Sequence, residues 1–226
     1  MRVPRPNSDQ DTAHRILDIA SRLVQSRGFN GFSYADIAAE LGVTKASLHY
    51  HYPTKAELGR KLIERYERTF VGALKAIERD AADAFDKLRR YAQIYASVLA
   101  DDQMCLCGML AAEHGTLPAQ MRGELRHYFE VNEAWLAGVL ERGRAARQLH
   151  FDGAPLDVAR MLVASLEGAM MLARSYADAT RFGAVTQRLL AELLPAPAPR
   201  QTKPRVAAAA RPAARRPRSA AAKRAP

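Results

Sequence analysis

Five side chains that form hydrogen bonds stand within seven residues, in the segment KASLHYH. They are Lys45, Ser47, His49, Tyr50 and His51. Together they offer one ammonium group, two hydroxyl groups and two imidazole rings, which are groups that contact phosphates and the edges of bases. The alternative is a helical hairpin inside an ordinary core, but a core has no need of so many polar groups in one short segment. We therefore expect the segment to contact DNA, with Lys45, His49 and Tyr50 as candidates for base contacts.

Two short helices are predicted to position this segment. Ser33, followed three residues later by Asp36, forms a capping pair that starts the first helix. Gly42 ends it, because glycine readily adopts the left-handed conformation of a sharp turn. Thr44 then caps a second helix over residues 45–51. Two helices joined by a tight turn form the unit whose second helix enters the major groove of DNA.

Helices are also predicted on both sides of this unit. The first spans residues 12–27 and ends at Gly28. On the C-terminal side of the unit, Pro53 ends the second short helix. Thr54 then caps a long helix that continues to about residue 80. Further helices are predicted at 82–100, 103–115, 118–147, 155–178 and 181–194. Because the chain is rich in Ala and Leu and has no alternating apolar runs, the predicted fold class is all-α.

The charge of the chain is distributed unevenly. From residue 195 onward there are nine Lys and Arg residues and no acid, so this segment holds nearly all of the net charge of +10. Its Ala, Pro, Arg and Lys composition predicts disorder. The tail is either a nucleic-acid-binding arm or a solvated appendage. The predicted organisation is a flexible N-terminus (1–11), a helix-turn-helix domain (12–54), an effector-binding and dimerisation domain (55–194) and the tail (195–226).

The segments RILDIASRLVQSRGF and SYADIAAELGVTKASLHYHYPTKAEL resemble the TetR/AcrR family of bacterial transcription regulators. The resemblance implies a homodimer in which the last two helices form an intersubunit four-helix bundle. It also implies an effector pocket among the middle helices, with release of DNA when a ligand moves the helix that links the domains. The function it implies is a repressor that binds a pseudo-palindromic DNA operator and is released by a small-molecule or thiol-reactive effector.

The positions that contact DNA in that family can be carried over to this chain. The expected DNA-contact residues are Ser33, Tyr34, Thr44, Lys45, Ala46, Ser47, His49, Tyr50, His51 and Lys55. Among them, Ser33, Tyr34 and Lys55 fall where the family contacts phosphate. Two positions depart from the common pattern, since many members have glycine in place of Ala46 and tyrosine in place of His49.

The segment from Met161 to Ala173 is apolar on almost every side, so a helix there has to be covered on two sides. The small residues Ala159, Ala164, Gly168 and Ala169 permit close approach of a partner. We predict a homodimer through residues 155–194, whose two-fold symmetry suits a pseudo-palindromic site. The alternative is a helix at the centre of a monomeric core.

Cys105 and Cys107 are two residues apart and point to different sides of a helix, which argues against a shared metal ion or a mutual disulfide. If Asp102 caps that helix, Cys105 lies in its first turn, where the helix dipole favours a thiolate. Cys105 is then a candidate sensor of electrophiles or oxidants. The alternative is that both cysteines are small buried apolar residues.

Methionine and aromatic residues of the second domain suggest a pocket for a moderately sized, largely apolar effector. Such stripes are also typical of a plain core. The expected pocket residues are Met104, Cys105, Met109, Met121, Leu125, Phe129, Trp135, Met170 and Met171. Possible polar anchors are Glu113, His114, Asn132 and Glu167.

Other classes of protein have less support in the sequence. The six histidines show no metal-ligand spacing, and no phosphate loop, dinucleotide fingerprint or nucleophile elbow is present, so no metal, cofactor or enzyme activity is expected. A chain without a long apolar run or signal peptide is expected in the cytoplasm. One rival function is an architectural nucleoid-binding protein that uses its basic tail and needs no effector. Another is an enzyme that reuses the helical fold.

Overall fold

A computed structural model describes residues 6–195, and within this range the chain is helical, as predicted. The helices are α1 (Pro6–Arg27), α2 (Tyr34–Leu41), α3 (Lys45–His51), α4 (Lys55–Asp80), α5 (Ala84–Ala100), α6 (Leu106–Ala112), α7 (Ala119–Ala145), α8 (Pro155–Ser175) and α9 (Thr180–Ala191), with a single 3₁₀ turn at His114–Thr116. None of the helices between residues 6 and 195 combines the length and the hydrophobicity that a membrane span needs.

The first helix corrects the predicted flexible N-terminus, because α1 already begins at Pro6. Proline is well suited to the first position of a helix, where its missing N–H has no partner to lose. Asp9 adds a negative charge to the first turn, where the helix dipole is positive. The predicted flexibility of residues 1–5 and disorder of residues 196–226 lie outside the described residues.

The segment 103–115 was predicted as one helix, and this prediction is wrong. Asp102 adopts a left-handed conformation, with φ of 54°, and turns the chain after α5. The N–H of Met104 then donates to the carbonyl of Gln25 in α1 instead of joining a helix. As a result α6 begins only at Leu106, and its N-cap residue is Cys105.

The core runs through both predicted domains. In α4 the buried residues recur at helical spacing, and Leu58, Leu62 and Phe70 pack inward. Helix α7 packs against α4 and α8, and α8 also packs against α9. The first helix contacts α2, α4 and α6, so α1 links the helix-turn-helix unit to the rest of the fold.

Candidate nucleic-acid interface and effector core

The predicted caps of the helix-turn-helix unit are present. The Ser33 backbone N–H donates to the Asp36 carboxylate at 2.7 Å, and the Ser33 hydroxyl in turn caps the start of α2. The Ser33 hydroxyl also donates to this carboxylate at 2.7 Å, and this bond, together with the one from the backbone N–H, lowers the pKa of Asp36. Gly42 ends α2 with φ of 70°, as its position predicted. These local bonds fix the turn that sets the direction of α3.

Helix α3 is also capped and oriented as predicted. The Thr44 hydroxyl accepts the Ser47 N–H at 3.3 Å and starts the helix. Leu48 is fully buried and anchors α3 to the core. Around it, most of the expected DNA-contact side chains face solvent: Ser33, Thr44, Lys45, Ala46, His49 and Tyr50 are exposed, and Ser47 and His51 are half-buried.

The ring of His49 is held in one orientation. Its Nδ1 lies 3.0 Å from the carbonyl oxygen of Pro53. Because a carbonyl only accepts, Nδ1 has to carry the hydrogen, which leaves Nε2 of the neutral ring as an acceptor. The Tyr34 ring lies beside the imidazole, with 4.7 Å between the ring centroids. The exposed His49 is therefore a preoriented hydrogen-bonding group.

Tyr34 itself does not present its side chain to DNA. The residue is buried, and its hydroxyl donates to the carbonyl of Tyr52 at 2.7 Å. Burial raises the pKa of Tyr34 to about 12. The side chain ties the start of α2 to the end of α3, and we withdraw it as a phosphate contact.

Lys55 is turned inward as well. Its ammonium group donates to the carbonyls of Phe29 and Phe32, and it lies 4.6 and 4.2 Å from the centroids of the two phenylalanine rings. Burial lowers the pKa of Lys55, while the charge of Glu113 opposes that effect. The ammonium therefore binds the loop between α1 and α2, and we withdraw Lys55 as a contact to DNA.

A second set of contacts joins this loop and the end of α1 to the larger domain. The Glu113 carboxylate, directly after α6, accepts the backbone N–H groups of Phe29 at 2.6 Å and Asn30 at 3.2 Å. The guanidinium of Arg174 in α8 donates to the carbonyls of Gln25 at 2.9 Å and Ser26 at 2.8 Å. Both contacts connect residues more than 80 positions apart, so no local sequence pattern indicates them.

The expected pocket residues do not form one site. Glu113 lies at the junction described above, and Met121 packs against Gly59 of α4. Met171 is exposed on the outer face of α8, and His114 is exposed too. The remaining expected pocket residues are buried or half-buried: Met104, Cys105, Met109, Leu125, Phe129, Asn132, Trp135, Glu167 and Met170.

A polar cluster in the interior does bring some of these residues together. Cys105 and Met170 line a narrow cleft with Tyr66 and Tyr95, and the cleft has no room for a water molecule. The Tyr66 hydroxyl donates to Cys105 Sγ at 3.6 Å. Asn132 is buried and accepts the Tyr91 hydroxyl at 2.7 Å. These tyrosines were not among the expected site residues, although the spacing of Tyr91 and Tyr95 predicts a shared helix face.

Both cysteines are buried and reduced. Burial raises the pKa of Cys105, and the nearby charge of Glu167 raises it further. Burial also raises the pKa of Cys107. The predicted first-turn thiolate therefore lacks support, because desolvation of the thiol outweighs any effect of the helix terminus.

Two roomier clefts are open grooves at the surface, with volumes of about 460 and 410 Å³. The first lies between α5 and α9, and its lining includes Phe85, Phe182 and Leu194. The second lies between α4 and α7, and Trp135 is part of its wall. Among the expected pocket residues, Trp135 thus belongs to a groove apart from the Cys105 cleft.

Comparison with known proteins covers both parts of the chain. Residues 16–61 match the family model described as "Bacterial regulatory proteins, tetR family", and residues 84–189 match "Tetracyclin repressor-like, C-terminal domain". The crystal structure of a TetR-family transcriptional regulator from Agrobacterium tumefaciens has a TM-score of 0.80 and 35% sequence identity. The match covers 83% of this chain and 100% of that one.

Two curated relatives match over most of their length. The nucleoid occlusion factor SlmA of Edwardsiella ictaluri is 30% identical over 173 residues, which is 75% of this chain and 85% of SlmA. The transcriptional repressor NemR of Escherichia coli is 26% identical over 172 residues, which is 74% of this chain and 86% of NemR. With the two family models, the capped helix-turn-helix and the all-helical fold, these matches confirm the predicted resemblance: the chain belongs to the TetR family of bacterial regulatory proteins.

Proposed function

We propose that this chain is a transcriptional repressor that binds a pseudo-palindromic operator as a homodimer and releases it when a small molecule binds. The observation that carries the proposal is the arrangement of α3. Leu48 is fully buried, while Lys45, His49 and Tyr50 are exposed around it. This leaves a short, firmly anchored helix with a polar outer face, which suits the major groove.

The exposed groups suggest a division of roles. Lys45 is suited to the acceptors of guanine, and His49 Nε2 to an amino group of adenine or cytosine. Tyr50 is 75% exposed, so its ring is free to contact a base or a thymine methyl group. Ser33, Thr44, Ser47 and His51 flank these three residues and are suited to phosphates, which set the register of the protein on DNA.

The outer face of α8 supports the homodimer. Met161, Met171 and Leu172 of α8 and Tyr176 directly after it form an exposed apolar stripe, each with about half or more of its surface accessible to solvent. Single exposed apolar residues are common, but a stripe of this length on one helix is typical of an interface. Of the small residues expected to allow close approach of a partner, Ala164 and Gly168 are accessible on α8, whereas Ala159 and Ala169 are buried within the chain itself and are withdrawn. Helix α9 extends the stripe with the exposed Val185. We place the dimer interface on α8 and α9.

Selection of bound DNA tests the proposal. Fragments enriched by the purified protein are sequenced and footprinted, and we expect a protected site with two symmetrical halves. Lys45→Ala is expected to weaken binding to this site more than binding to random DNA. Lys75→Ala is the matched control, since Lys75 is an exposed lysine of α4 that lies outside α3. A protected site without symmetry, or equal effects of both variants, contradicts the proposal.

The similarity to SlmA favours one other candidate, a nucleoid-binding protein that works without an effector. In that case the basic tail is the main DNA-binding element. Deletion of residues 195–226 then abolishes binding, and the intact protein shows little sequence preference. Under our proposal the shortened protein keeps its preference for the enriched site, and only the dependence of affinity on salt becomes weaker.

A further inference from the structure

Glu167 of α8 is the one buried carboxylate in the described residues whose two oxygens both lack a hydrogen-bond partner. Both oxygens are shielded from solvent. A buried carboxylate normally has several donors or a cationic partner, because removal of the charge from water is costly. No Lys or Arg within residues 6–195 forms an ion pair with Glu167. An unsatisfied group of this kind needs an explanation in the function of the protein.

The carboxylate is in contact with α6. A Cβ atom placed on Gly108 would lie 2.2 Å from Glu167 Oε2, so the contact depends on the absence of a side chain there. The thiol of Cys105 is a neighbour of the carboxylate, and a thiol is only a weak donor. The contact surface on α6 therefore supplies no strong hydrogen bond to Glu167.

Tyrosine rings lie near Glu167: burial raises the pKa of Tyr66, Tyr91 and Tyr95, and the nearby charge of Glu167 raises each of them further. The Tyr128 ring lies 5.8 Å from the Tyr66 ring and 5.3 Å from the Phe70 ring, and Tyr91 lies 5.5 Å from Tyr95 between centroids. The Tyr128 hydroxyl is also buried without a hydrogen-bond partner. The faces of such rings are electron-rich and attract positive charge.

We propose that the cluster formed by Glu167 and the neighbouring tyrosine rings recognises an organic cation, which is an ammonium compound with an apolar group attached. This inference rests on the proposed function, since it names the effector class of the same regulator. An ammonium group supplies the positive charge and the N–H donors that Glu167 lacks. A neutral apolar compound leaves the carboxylate unsatisfied, and an anion is repelled by it. The aromatic rings provide the surface for the apolar part.

Contacts through α6 and Glu113 connect this site to the DNA-binding unit. Since the Glu167 carboxylate is in close contact with Gly108 of α6, a cation reaches it only if α6 and α8 separate. The far end of α6 leads into Glu113, whose carboxylate holds the backbone of Phe29 and Asn30. Displacement of α6 by the ligand therefore acts directly on the loop between α1 and α2.

The test compares three probes of similar shape and different charge at pH 8: benzylamine, benzyl alcohol and benzoate. Binding to the full-length protein is measured by calorimetry and by the shift in melting temperature. We expect benzylamine to bind at least about 10-fold more tightly than the other two probes, as a charge-assisted hydrogen bond warrants. Comparable binding of benzyl alcohol or benzoate, or no binding of benzylamine, overturns the proposal.

Two variants identify the carboxylate involved. Glu167→Gln keeps the shape of the side chain and is expected to lower the affinity for benzylamine by about 10-fold or more. Glu133→Gln is the control, because Glu133 is paired with Arg160 on the surface. Unchanged affinity in Glu167→Gln overturns the assignment. Its folding is checked by its melting curve, which is expected to rise because the variant buries no charge.

The outcomes separate this proposal from the proposed function. DNA binding is measured first, without any probe. If no symmetrical site is bound, the proposed function fails regardless of the calorimetry. If the site is bound but benzylamine has no advantage over the uncharged probe, only the cation proposal fails. If benzylamine binds at Glu167 but does not lower affinity for the site, the cluster is not the regulatory site and the inference is overturned.

Discussion

The carboxylate of Glu113 accepts the backbone N–H of Phe29 at 2.6 Å, and this bond joins the end of α6 to the loop after α1. Residues 84 positions apart thus form a direct contact between the DNA-binding unit and the larger domain. The same carboxylate accepts the N–H of Asn30, and its charge partly offsets the lowering of the Lys55 pKa by burial. The junction depends on a small group of charged and backbone atoms.

Replacement of Glu113 is expected to weaken this junction. Glu113→Ala leaves the N–H groups of Phe29 and Asn30 without their acceptor, which costs about 1–3 kcal/mol of unfolding free energy. Urea denaturation measures the loss. Glu130→Ala, an exposed glutamate of α7, is the control and is expected to change stability by less than about 0.5 kcal/mol. Equal stability of the two variants contradicts the structural role of Glu113.

Replacement of Lys55 separates a structural from a DNA-binding role. Because its ammonium donates to the carbonyls of Phe29 and Phe32, Lys55→Met is expected to lower the unfolding free energy by about 1–3 kcal/mol. The slope of log affinity against log salt for DNA is expected to stay unchanged. For Lys45→Ala we expect that slope to fall by about 1. A similar fall in the slope for Lys55→Met contradicts the structural role and shows that Lys55 contacts a phosphate.

The stability of the protein is expected to depend on the ionisation of Glu167. Burial raises its pKa from 4.5 to about 7. Between these values the folded protein holds a proton that the unfolded chain has lost, so stability falls as pH rises. Protonated Glu167 therefore contributes about 3 kcal/mol to the unfolding free energy. This contribution is fully present below pH 4.5 and is lost above pH 7.

Glu167→Gln provides the comparison for this prediction, since the amide does not titrate. The difference in unfolding free energy between the wild-type protein and this variant is measured at pH 5 and pH 8. We expect the difference to shift by about 2.5 kcal/mol in favour of the variant at the higher pH. A difference independent of pH contradicts the burial of an unpaired carboxylate at this position.

The outer stripe of α8 is expected to hold the dimer together. Leu172 is 59% exposed, and Leu172→Glu places a charge in the proposed interface. Sedimentation is expected to show a monomer at micromolar concentration, with operator affinity reduced by about 100-fold or more because half-sites no longer bind together. Ala100→Glu adds the same charge at an exposed position of α5 and serves as control. A dimeric Leu172→Glu protein rejects this interface.

The sequence predicted those features whose physical cause is local. Ser33, Gly42 and Thr44 act on residues within a few positions, and they start and end α2 and α3 as expected. Lys55 and Tyr34 resemble surface residues in sequence, but their partners lie 18–26 positions away. Periodicity contains no information on such pairs, so the inward orientation of both side chains emerges only in the folded protein.

The same lack of information on distant contacts explains why the expected pocket residues do not form one site. A methionine or glutamate in an apolar stripe shows that this face of the helix is buried. The stripe does not show which other helix or ligand packs against that face. Met171 therefore fell on an exposed face, and Glu113 at a junction rather than in a pocket. The unpartnered oxygens of Glu167 became recognisable only when its neighbours, Gly108 among them, were known.

Because Cys105 and Cys107 are buried, chemical labelling of the two thiols reports on motions that open the interior. A reagent in solution reaches them only when the helices around them transiently move apart, so the labelling rate measures how often this opening occurs. A bound effector that holds the helices apart accelerates labelling, and one that clamps them together slows it.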